Sequence, residues 1–100
     1  MWRARTGGRE ATESYRRVLE SEVLGGLNDV AGFRGAYLLA RRDGDAMEIS
    51  TLTFFDSFEA VRRFAGQECE REQVTPAARA TLLESDPAVR HFDVLTAHRL

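Results

Sequence analysis

The chain has 100 residues, 30% of them charged and 43% hydrophobic, with a formal net charge of −2. That is the length of one domain and the composition of an ordinary globular protein, so a second core, a disordered chain and a broadly basic nucleic-acid-binding surface are excluded. A single cysteine rules out an internal disulfide, no Cys/His spacing suits a metal site, and all 14 basic residues are Arg, scattered rather than clustered. No apolar stretch near Met1 reads as a signal peptide or a membrane span, so a cytoplasmic protein without membrane contact is expected.

Residues 1–5 can supply a short first strand. Residues 9–27 then read as a helix, because Ala11, Tyr15, Val18, Leu19, Val23, Leu24 and Leu27 recur at spacings of three and four. Gly25-Gly26 is expected to fray or end it. Two extended runs follow, Phe33–Arg42 and Met47–Phe55, joined by Asp43-Gly44-Asp45. Asp-Gly between such runs predicts a hairpin with a type I′ turn, whose two central residues need positive φ. In the first run Phe33, Tyr37 and Leu39 share one face, with Ala36, Leu38 and Ala40 on the other. In the second, Met47, Ile49 and Phe55 oppose Leu52 and Phe54. Neither run alternates cleanly between apolar and polar, so both faces of the sheet are expected to be covered.

Asp56 with Glu59 three residues on predicts a capping box for a helix carrying Phe58, Val61, Phe64 and Ala65 and closed by Gly66. Gln67–Gln73 is polar and reads as surface. Thr75-Pro76 starts another helix, using Ala77, Ala78, Leu82 and Leu83 and stopping at Ser85-Asp86-Pro87. Val89–His98 is expected to be the last strand. This order predicts an α+β fold of the ferredoxin-like split β-α-β type, a single domain over 1–100 with a four-stranded antiparallel sheet. Helices cover one face of such a sheet. The other face is expected to be covered by a second copy, giving a homodimer through sheet-to-sheet packing.

Gly32-Phe33-Arg34-Gly35-Ala36-Tyr37, the turn at 41–45, Leu52-Thr53-Phe54-Phe55-Asp56-Ser57, Phe64-Ala65-Gly66 and His91-Phe92-Asp93-Val94 resemble the antibiotic biosynthesis monooxygenase family. The resemblance spans nearly the whole chain and implies a dimeric α+β barrel. It implies cofactor-independent oxygenation of a small aromatic or polyketide-like substrate, with no cofactor and no metal. Where that family's quinone-forming oxygenases present Asn and Trp to the pocket, this chain has Thr51 and Phe55. The related haem-degrading branch carries a ligand His on a late helix, and residues 76–85 contain none.

His91 is the candidate general base, because imidazole titrates near neutrality and takes a proton without metal or flavin. Arg34 is the candidate oxyanion stabiliser. Tyr37 offers a hydroxyl, and Trp2, Phe55 and Phe64 offer an aromatic lining; with Thr51 these form the expected substrate site. Cys69, among acidic residues, reads as incidental. The alternative function is a non-enzymatic, small-ligand-binding or stress-related dimer.

Overall fold

A computed structural model describes residues 1–99. The elements in chain order are β1 (Trp2–Thr6), α1 (Arg9–Val18), a π-helical stretch (Leu19–Leu24), α2 (Gly25–Leu27), β2 (Phe33–Asp43), β3 (Ala46–Phe55), α3 (Phe58–Ala65), α4 (Pro76–Arg79) and β4 (Leu82–Ser85). The sheet is antiparallel throughout, in the order β2-β3-β1-β4, which is that of the ferredoxin-like split β-α-β arrangement. The fold is α+β, as the order of elements predicts.

Helix runs unbroken from Arg9 through Gly25 and Gly26 to Leu27. The glycine pair therefore does not end it. Leu27 is fully buried, and burying that side chain outweighs the roughly 1 kcal/mol that each glycine costs a helix. Trp2, Ala4, Tyr15, Leu19, Ile49 and Ala78 form the core between this helix and the sheet.

Two local expectations change. Asp43 pairs with Ala46, so the hairpin's central residues are Gly44 and Asp45. Of these only Gly44 has positive φ, at 64°, which is the pattern of a turn with Gly at its first central position rather than type I′. The N-cap of α3 is Ser57, whose Oγ accepts from the Ala60 amide at 3.2 Å. Asp56 stands one residue outside it. Thr75 and Pro76 do start α4, with Thr75 Oγ1 accepting from the Ala78 amide.

The largest correction concerns the last strand. β4 is Leu82–Ser85, pairing with β1 through Ala4↔Ser85, Arg5↔Glu84 and Thr6↔Leu82. Residues 89–99 form no strand, although Ala88 bridges to Arg71. The open edge of β1 supplies backbone partners to the first extended segment that reaches it, and this pairing overrides the weak strand propensity of Leu-Leu-Glu-Ser. The segment beyond Pro87 is then left over, with Phe92, Val94 and Leu95 exposed.

A bulge also changes the faces of β2. The register jumps from Phe33↔Phe55 to Gly35↔Phe54, leaving Arg34 as the extra residue. Phe33 therefore lies on the helix side against Phe55, ring centroids 5.6 Å apart, and not with Tyr37 and Leu39. The opposite face of the sheet is apolar only at one end. There Tyr37 packs edge-on to Phe54 at 5.9 Å, and Tyr37 and Leu39 are 48% and 51% exposed. At its other end Arg5 pairs with Glu84 and Asp43, and Arg41 with Glu48. No helix among the described residues is long and apolar enough to cross a membrane.

Candidate functional site

A cavity of about 1170 Å³ opens between the sheet and its helices, large beside the ~300–1,000 Å³ of drug-sized ligand sites. β3 supplies one wall through Thr51, Thr53 and Phe55. The π-helical stretch supplies Leu19, Val23 and Leu24, α3 supplies Phe58, Val61 and Phe64, and residues 89–94 close the remaining side. Side chains at alternate positions of β3 point the same way, so Thr51 and Phe55 reach the cavity from the face that buries Ile49 deeper in the core. Charged groups line it with both signs, including Glu22, Asp56, Asp93, Arg71 and Arg90.

His91 stands in this lining without belonging to a strand. Its backbone is held by its neighbours. Arg90 and Met1 exchange backbone hydrogen bonds, the Met1 ammonium donating to the Arg90 carbonyl at 2.6 Å and the Arg90 amide to the Met1 carbonyl at 3.0 Å. The Val89 amide donates to the Glu70 carbonyl at 2.7 Å. The imidazole lies edge-on to Phe58, centroids 5.2 Å apart and planes at 90°. Its Nε2 is 2.9 Å from the Cys69 carbonyl oxygen. A carbonyl only accepts, so in this geometry Nε2 carries a hydrogen. In the neutral ring Nδ1 is then the basic nitrogen.

The remaining predicted site residues divide into two groups. Trp2, Thr51, Phe55 and Phe64 line the cavity together with His91. Tyr37 lies on the opposite face of the sheet, against Phe54. Arg34, the bulged residue, is not among the lining residues; it pairs with Asp56 at 3.1 Å, both side chains more than half exposed. The structure does not bring Arg34 and His91 into one cavity.

Three cavity features escape a reading of residue types. Cys69, expected on a polar surface stretch, is 2% exposed and lines the cavity. Tyr15 reads as one more residue of an apolar helical stripe, yet its hydroxyl faces Thr51. Burial pushes its pKa up, and the Thr51 hydroxyl offsets part of the rise. Trp2 is committed by its ring nitrogen: Nε1 donates to the Asp86 carbonyl at 2.8 Å and to Glu72 at 3.2 Å.

Glu72 joins this end of the cavity to α4 and β4. It accepts from Arg79 at 2.6 Å, and Arg79 also donates to Ser85 Oγ. Desolvation alone raises the Glu72 pKa, but hydrogen bonds from Arg79, Ser85 and Trp2 outweigh it and hold the carboxyl below its ordinary value of 4.5. A carboxyl depressed on folding stabilises the protein above its unfolded pKa, and that contribution is lost as pH falls through the folded value. The melting temperature should therefore decline below about pH 4.5, the ordinary value for this carboxyl. In Glu72→Gln that decline should be shallower, with a lower melting temperature at pH 7; an unchanged acid profile contradicts the assignment.

No family model matches the chain, and no curated protein matches it. The likeness to the antibiotic biosynthesis monooxygenases thus rests on its short motif segments alone. Among the described residues no cluster of three or more His, Cys, Asp or Glu is placed to hold a metal ion.

Proposed function

We propose that this protein binds a small, largely aromatic molecule in the cavity and oxidises it with O₂ without a cofactor, His91 acting as the base. One observation carries the reading: a largely apolar, aromatic-lined cavity whose lining includes an imidazole oriented through Nε2 by the Cys69 carbonyl. An activated CH₂ between aromatic rings loses a proton to Nδ1. The carbanion gives up its electrons to O₂ and forms a C–O bond, and the resulting peroxide takes the proton back. Loss of water then leaves a C=O, so one oxygen atom ends in the product and the other in water. The side chain that moves the proton is His91.

The working assembly is a homodimer. Support comes from the apolar end of the outer sheet face, where Tyr37, Leu39, Leu52 and Phe54 lie together. Sedimentation should give twice 11.2 kDa, and a single-chain particle at high concentration contradicts this.

Oxygen uptake with anthrone and electron-rich naphthols tests the chemistry. Uptake should fall by about 10²–10⁴-fold in His91→Ala and persist in His98→Ala, which removes the other imidazole, one outside the cavity lining. The absence of uptake from every compound contradicts it. A non-catalytic binding role is favoured by one feature, Thr51 and Phe55 standing where the resembled oxygenases present Asn and Trp. Binding of those compounds with no uptake is its expected result.

A further inference from the structure

Phe92 and Val94 border the cavity, yet they are 68% and 63% exposed. A side chain that both lines a space and faces solvent stands at its mouth. Phe58 and Phe64 of α3 do the same: both line the cavity and both are exposed. The two groups meet at His91, which packs edge-on to Phe58 one residue before Phe92. Up to His91 the chain is tied down. The Val89 and Arg90 amides donate to the Glu70 and Met1 carbonyls, and His91 Nε2 donates to the Cys69 carbonyl. Beyond it, residues 92–99 make no hydrogen bond and no ion pair among the described residues. Charge divides in the same way. Arg62 of α3 lies over the Phe58 ring, 5.0 Å from its centroid, and Asp93 lies at the cavity. Neither has an ion-pair partner among the described residues.

We propose that residues 92–94 close over the bound molecule, Phe92 and Val94 turning inward as its outer wall against Phe58 and Phe64. In an extended segment alternate residues share a side, so Asp93 then points outward, toward Arg62, which is not a lining residue. The space allows this. At about 1170 Å³ the cavity exceeds the ~300–1,000 Å³ of sites for drug-sized molecules, so a two-ring molecule leaves room for two more side chains. The ligand also supplies the driving force. Closing over an empty cavity gives Phe92 and Val94 little to pack on, whereas a bound aromatic molecule offers apolar surface in the closed state alone, and that difference shifts the equilibrium. The inference rests on the cavity being a ligand site, and it adds the segment that completes that site.

Binding of 2-acetylnaphthalene to the full chain, followed by stopped flow, tests the closure. Phe92→Ser should weaken binding by about tenfold, the loss of one buried aromatic contact. Dissociation should be faster and association nearly unchanged. Because Phe92 is exposed in the free protein, the melting temperature without ligand should not move. Asp93→Asn and Arg62→Gln should each weaken binding about two- to threefold, and the double substitution by no more than either alone. Unchanged dissociation from Phe92→Ser overturns the closure and leaves the cavity reading standing. A lowered melting temperature of the free variant also overturns it, since the ring then supports the fold. So does a change from two chains to one in sedimentation, since the ring then belongs to a contact between copies. Binding of 2-acetylnaphthalene to neither protein overturns both readings.

Discussion

Gly32→Ala should destabilise the protein by about 3 kcal/mol, the sum of a strained backbone and an overpacked contact. Gly32 has φ of 90°, and a Cβ there would stand 2.8 Å from the Cβ of Ala60. Ala60 is buried on α3, and the Asp56 amide donates to the Gly32 carbonyl at 2.7 Å. The loop before β2 and the start of α3 are thus pressed together where neither has a flexible side chain to yield. Gly66 provides the control. Its φ is 80°, but an added Cβ there would meet nothing within 4 Å, so Gly66→Ala should cost only the backbone strain, about 1 kcal/mol. Urea denaturation of the two variants checks the difference, and equal losses contradict the steric part. Because α3 carries Phe58 and Phe64 into the cavity, Gly32→Ala should also weaken ligand binding.

Trp2→Ala should cost about 3–5 kcal/mol, as truncation of a buried Trp does. The side chain contributes in two ways: its ring stacks on Tyr15 within the core, and its N–H ties β1 to Asp86 and Glu72. Trp2→Phe keeps most of the packing and removes the donor, so about 1–2 kcal/mol is expected. Chemical denaturation followed by far-UV circular dichroism distinguishes them, since the chain's only Trp is the residue replaced. A loss below about 1 kcal/mol for Trp2→Ala places the indole outside the energetic core and contradicts the packing described.

The hairpin, the long first helix and α3 were legible because their signals are local. Asp43-Gly44 stands between two β-rich runs, Tyr15, Val18, Leu19 and Leu27 keep helical spacing, and Gly66 caps the end of α3 with positive φ. β4 was not legible for the opposite reason. Leu82–Ser85 is four residues long, follows directly on α4, and is extended because β1 offers it partners, a fact absent from its own residues. Val89–His98 carries better strand formers and still pairs as no strand. The site divides in the same way. His91 was visible as a residue type able to move a proton. Arg34 left the cavity through a one-residue bulge that no spacing announces. The Tyr15–Thr51 pair exists only once helix and sheet are packed, so neither residue's neighbours point to it.

The central claim, that the space between sheet and helices is where a small aromatic molecule binds, is tested most directly by nuclear magnetic resonance. Titrating the isotope-labelled protein with 2-acetylnaphthalene should shift the resonances of Thr51, Phe55, Phe64 and His91 and leave Leu39, on the other side of the sheet, unmoved. Shifts confined to Tyr37, Leu39 and Phe54, or none at saturating ligand, would contradict it.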